Sequence, residues 1–328
     1  MHMADSLVSP IVGGGMQVIA SGVLANSIKK IKQDAEIERK IPLMGVVGAF
    51  VFAAQMINFT IPGTGSSGHI GGGVLLAAIL GPEAGFLVIM SILLVQALLF
   101  GDGGLLAYGC NVINIGFFGC FIGYKLVLKK ITAKEFSKTR ILIGSILGGV
   151  IGLQLGAFGV VIETVASGVT QLPFSTFLLF MQPIHLAIGV VEGIVTAGIL
   201  SFIYQNRPDI LIQNISENSR LSKKNIVRRF IFSALVLAGG ISLFASSNPD
   251  GLEWAIEKTN IGVQIGNNDF AHQLVSSMQE KTAILMDYNL PLGGFNGKIG
   301  TAIAGISGVF ITVGFILFFL RVVRKKVE

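Results

Sequence analysis

Runs of about 20 apolar residues, each closed by a cluster of charge, recur along this chain and leave it few folds. A segment placed in hydrocarbon has to satisfy its own backbone, so such runs become helices. The pattern predicts apolar helices over Leu7–Ile28, Pro42–Phe59, Ile70–Leu80, Ala84–Phe100, Asn111–Leu128, Ile141–Ile162, Phe174–Tyr204, Phe230–Ala245 and Thr301–Leu320. Ile70–Leu80 is too short for a full bilayer and reads as a short or tilted helix that starts within the protein. Only 13% of the residues are charged, about half the share of a soluble domain, and the mean hydropathy is +0.75. The expected fold class is an all-α, polytopic membrane protein with about nine transmembrane helices.

Charge placement orients those helices. With the N-terminus outside and the C-terminus inside, the inner segments are 29–40, 125–140, 205–229 and 321–328, and they hold 21 of the 24 Lys and Arg residues. The net charge of +6 is therefore topological, and no nucleic-acid partner is expected. No basic leader with a small-residue cleavage site precedes the first apolar run. Cys110 and Cys120 lack metal-motif spacing and read as packing residues. By this topology Met1, His2 and the glycine-rich loop Gly63–His69 share the outer side.

That shared side matters because Met1-His2 is a chelating pair. If the initiator is kept, as a bulky second residue favours, the α-amine, the His2 amide and the His2 ring supply three adjacent nitrogens. The His69 imidazole would complete a planar four-nitrogen set, which suits Ni(II) or Cu(II). A disordered terminus and a solvated loop histidine are the plain alternatives. The glycines around His69 leave room for another backbone to approach.

Polar residues inside spans come next, because a charge at the bilayer centre costs about 2.5–3.5 kcal/mol on insertion scales. Gln96, Asn111, Asn114, His185 and Glu192 qualify, and His185 and Glu192 share one helix face two turns apart. Interhelical hydrogen bonding is favoured for them over metal ligation. Glu163 is expected at the interface. The loop Gly101–Gly104 has neither the carboxylates of an EF-hand nor a Walker lysine, so Asp102 is read as steering cations or bracing the loop. A membrane metalloenzyme using His185 and Glu192 beside a His2/His69 metal is the alternative of another class. No nucleophile–base set supports it.

Met1-His2-Met3, Ile61–His69, Gln96–Gly104 with Asn111 and Asn114, and His185–Glu192 occur together in this order, and the chain thereby resembles the CbiM/NikM family. These are the substrate-capture components of prokaryotic energy-coupling-factor transporters for nickel and cobalt. The last third, with Asn248-Pro249-Asp250-Gly251-Leu252-Glu253, is similar to the PDGLE-type accessory component. The resemblance implies a capture domain at 1–204, a basic linker at 205–229 and a fused accessory segment at 230–328, in the plasma membrane. It implies Met1, His2 and His69 as ligands, with Asp102, Asn111, Asn114, His185 and Glu192 behind them or gating. It further implies a transmembrane coupling (T) protein and two ATPase subunits as partners, with Ni(II), or next Co(II), as cargo. Residues Met3–Leu7 depart from the family pattern, which bears on packing behind the site.

Overall fold

A computed structural model of the chain describes residues 1–34, 37–211, 223–259, 269–289 and 297–325. The described residues are almost wholly helical: α1 Pro10–Lys32, α2 Ile37–Gln55, α3 Gly73–Leu80, α4 Pro82–Phe100, α5 Tyr108–Thr132, α6 Lys138–Ser167, α7 Phe174–Asn206, α8 Lys223–Gly239, α9 Gly251–Thr259, α10 Phe270–Thr282 and α11 Gly297–Lys325. The protein is an all-helical, multi-pass membrane protein. Polar side chains such as Gln55, Gln96 and Glu192 are buried, whereas Ile11 and Val18 on α1 are 87% and 73% exposed, the inside-out pattern of a lipid-facing surface.

Apolar helices stand at all nine expected places, but among the described residues only seven are long enough to cross a bilayer. The segment expected at Pro42–Phe59 keeps an apolar stretch of just Lys40–Gln55, because the chain leaves the helix to form a two-stranded hairpin. Its strands, β1 Phe59–Ile61 and β2 Ser66–Gly68, pair antiparallel with Ile61 opposite Ser66 around the Pro62–Gly65 turn. The segment expected at Ile70–Leu80 is a helix only from Gly73 and spans about 12 Å. In the linker expected at 205–229, residues 212–222 lie outside the described residues, and α8 begins earlier than expected, at Lys223. The polar segment at 246–297 contains α9 and α10, with 260–268 and 290–296 outside the described residues, as is 326–328 in the tail.

The short α3 explains how the chain crosses with so little helix. Residues Ile70–Gly72 run non-helically through the protein interior, and Gly72, at φ +77°, makes the left-handed turn that starts α3. Irregular backbone at membrane depth needs partners from neighbouring helices. Glu192 of α7 accepts from the Gly71 and Gly72 amides at 2.8 and 3.1 Å. Gln55 at the end of α2 donates to the Gly71 carbonyl at 2.8 Å and accepts from Gln96 of α4 at 3.0 Å. The far end of α3 reaches the turn at Gly81, where Glu83 pairs with Lys30 of α1 at 3.1 Å. Extended segment and short helix together therefore run from the hairpin to the basic end of α1.

Elsewhere small residues bring helices close. Ser9 and Pro10 start α1, and Ser137 caps α6. Where α6 meets α7, a Cβ on Gly193 would collide with the Ile146 backbone, so only glycine permits this approach. The last helix, α11, lies on α2, with Gly308 against Phe52 and Ile316 against Gly48. Phe230 of α8 meets Phe50 edge-on at 5.6 Å.

Glu192→Ala strands two buried amides, and we expect it to lower the stability of the purified protein by about 2–4 kcal/mol. Glu192→Gln, which keeps one acceptor, should lose less. Thermal unfolding in detergent distinguishes the two, and equal losses would mean that the carboxylate only fills space.

Candidate metal centre

Four segments that are distant in sequence meet at one end of the bundle: the N-terminus, the hairpin, the 101–107 loop and the described parts of 246–289, namely 246–259 and 269–289. The terminal peptide is threaded between them. Met3 is wholly buried; its amide donates to the Asn111 side chain at 2.7 Å, and its carbonyl accepts from Asn111 at 3.1 Å and from the Gly104 amide at 2.8 Å. Asp5 accepts from the Ala107 amide at 3.0 Å. From α10, His272 Nε2 lies 3.1 and 3.0 Å from the carbonyls of Asp5 and Val8. The departure from the family pattern at Met3–Leu7 thus leaves the terminus firmly held.

These contacts deliver the α-amine of Met1 to His69. The amine lies 3.0 Å from His69 Nε2 and 2.6 Å from an Asp250 oxygen. His69 Nδ1 donates to its neighbour's carbonyl, Ile70, at 3.1 Å, which leaves Nε2 unprotonated toward the amine. The His2 and His69 rings stack with centroids 4.9 Å apart and 11° between planes. His2 Nδ1 lies 3.1 Å from Asp102, whose other oxygen accepts from the Tyr288 hydroxyl at 2.5 Å. His2 Nε2 is buried with no protein partner.

Burial lowers the His2 pKa to about 3, and the adjacent ammonium adds to this. The same two causes lower His69, with His2 adding to them. Both rings are thus held neutral, the protonation state a metal ligand requires. Burial alone would raise the Asp250 carboxyl, but the ammonium beside it holds it well below the usual carboxylate range. Asp102 is raised by burial, which the Tyr288 hydrogen bond opposes in part.

The other expected residues stand behind this group. Asn111 anchors Met3, and Asn114 donates to Glu163 at 2.5 Å, so Glu163 is buried between helices rather than at the interface. His185 Nδ1 bonds the Met181 carbonyl at 2.8 Å, and its ring lines a cavity of about 10 Å³ with Met1, His69 and Gly251. Glu192 supports the backbone two and three residues after His69. Cys110 and Cys120 are buried free thiols, as expected. Among the described residues no three His, Cys, Asp or Glu side chains are grouped to hold a metal.

Residues 2–210 match the family described as the cobalt uptake substrate-specific transmembrane region, CbiM. The chain belongs to the CbiM family. Residues 224–325 match the PDGLE domain. A putative fused nickel transport protein, NikMN, of Archaeoglobus fulgidus is 33% identical over 97% of this chain and 98% of its own length. A probable fused nickel transport protein, LarMN, of Lactiplantibacillus plantarum is 28% identical over 95% of each. A crystal structure described as a truncated transition metal transporter superposes on 62% of this chain and 99% of its own, with a TM-score of 0.55 and 28% identity. This CbiM-family chain is a component of metal uptake and not an enzyme: its relatives are transport proteins, and both Glu192 oxygens are committed to backbone amides.

Sequence reasoning missed Asp250, Tyr288, His272 and Gln55. The first three lie in the accessory segment, far from the chelating pair in sequence, and only Asp250 carries a local signal, its place in the Pro-Asp-Gly turn.

Native histidines that refuse protons cost stability where the unfolded chain accepts them. Stability should therefore be full above about pH 6.5 and fall as pH drops toward the native values near 3. His69→Gln should flatten that fall between pH 7 and 5 in thermal melts. Asn111→Leu, which removes two of the three hydrogen bonds on the Met3 backbone, should increase hydrogen exchange in the first eight residues.

Proposed function

We propose that this chain is the substrate-capture subunit of an ATP-driven, energy-coupling-factor type importer and that it binds Ni(II) from the outer side of the membrane. The observation that carries the reading is the buried amine of Met1 facing the free Nε2 of His69, with the His2 ring stacked alongside. The donors are the Met1 amine, the His2 amide, the His2 ring and the His69 ring. A deprotonated amide within a planar nitrogen set favours low-spin Ni(II). For His2 Nδ1 to serve as a ligand it would give up its contact with Asp102, and the ring proton would move to Nε2, which has no protein partner. Asn111, Asn114, His185 and Glu192 hold the terminus and the segment after His69 in register.

The same donors offered to Co(II) are the second reading, and the family's description as a cobalt-uptake region favours it. In either case the capture domain is 1–204, the basic linker 205–229 lies inside, and the accessory segment is 230–328. The two successive family matches support that division. The basic end formed by Lys29, Lys30 and Lys32 is the inner one, so the hairpin and the metal centre face out. The chain carries no Walker lysine loop, so ATP hydrolysis belongs to two separate ATPase subunits, joined to it by a transmembrane coupling protein.

One residue added before Met1 displaces the amine and should abolish tight nickel binding in calorimetry, and His69→Ala should weaken it. An absorption spectrum of the loaded protein separates planar Ni(II) from octahedral Co(II). Nickel affinity indifferent to the added residue would sink the chelate.

A further inference from the structure

Loading the chelate changes the identity of the positive charge in the centre but not its amount. The terminal ammonium carries one charge. A divalent ion held by a neutral amine, a deprotonated amide and two neutral imidazoles also leaves one. As the ion enters, the ammonium and the amide each release one proton to solvent. The group that balances this charge directly at the amine is Asp250, its oxygen 2.6 Å away and its side chain 16% exposed.

Asp250 is tied down on every side. Its second oxygen accepts from the Leu252 and Glu253 amides at 2.9 Å each, capping α9. The carbonyls just before it hold the hairpin: Pro249 accepts from the Ser67 amide and Asn248 from the Ser67 hydroxyl, both at 2.8 Å. Trp254 of α9 donates to the Thr64 carbonyl at 3.0 Å. Gly251 packs closely against Ile188, His185 and Ile184, where an added side chain would be tight. The carboxylate and the strand that presents His69 are thus one rigid unit.

We propose that Asp250 is part of the capture site: a fixed counter-charge that faces the ammonium in the empty protein and the divalent cation in the loaded one, so that the accessory segment completes the metal centre. This rests on the chelate reading. A charge buried without a partner is costly, so the cation is held less well wherever Asp250 loses its own. Asp250→Asn removes the charge but keeps the shape and the helix cap, since asparagine caps as well as aspartate. Calorimetric nickel titration of the full-length Asp250→Asn protein should show affinity reduced by about 10–100-fold. Asp250→Ser, which also retains a capping oxygen, should match it and serves if the Asn protein does not fold. Wild-type affinity in either capping variant, with loss only in Asp250→Ala, would mean that Asp250 merely caps α9 and would overturn the proposal. The chelate fails on a different result: wild-type protein that binds no nickel, or binds it regardless of an added residue before Met1.

Discussion

The structure depends on one requirement of hydrocarbon, that no backbone polar group be left without a partner. Between the hairpin and α3 the chain breaks that rule locally, and Glu192 and Gln55 restore it by bonding Gly71 and Gly72. An unbroken helix here would turn His69 into one more residue on a spanning rod. Because the helix starts late, His69 stands at the mouth of the bundle with its free nitrogen facing the terminus. The buried carboxylate two helical turns below His185 therefore works on the backbone, and through it on the position of His69.

The second organising element is electrostatic. An ammonium, two neutral imidazoles and two carboxylates occupy a largely buried space, and each group constrains the others. Asp250 compensates the amine, Asp102 holds the His2 ring, and Tyr288 holds Asp102. Two of these residues come from the C-terminal third, whose membrane helices pack on α2. Asp287 and Tyr288 both sit at positive φ, an uncommon conformation for such side chains, where the hydroxyl meets Asp102. Such strain persists only where surrounding contacts fix it.

Much of this was legible from residues alone. Apolar runs set the helices because hydrophobicity over 20 residues is a local and additive signal. The Met1-His2 pair and His69 stood out because chelation is a property of neighbouring atoms and of a loop with room beside it. The polar residues in the spans were recognised as unusual, yet their partners were not. Glu163 was placed at an interface and is buried against Asn114, and Glu192 was paired with other helices and instead holds glycine backbone. The path of residues 69–72 from hairpin to short helix was also beyond reach, since glycine-rich sequence permits many backbone paths.

Sequence by itself therefore determined the helical membrane fold and the shortness of α3, features carried by contiguous residues, while the late start of α3 at Gly73 belongs to the tertiary structure. Tertiary structure also decided what faces the nitrogens of Met1, His2 and His69. That Asp250 lies 2.6 Å from the first residue's amine, across 249 positions of chain, follows from how the C-terminal helices dock on α2 and lay their connecting segment over the hairpin. No local pattern encodes that distance, because it is the sum of many packing contacts rather than a property of any one stretch.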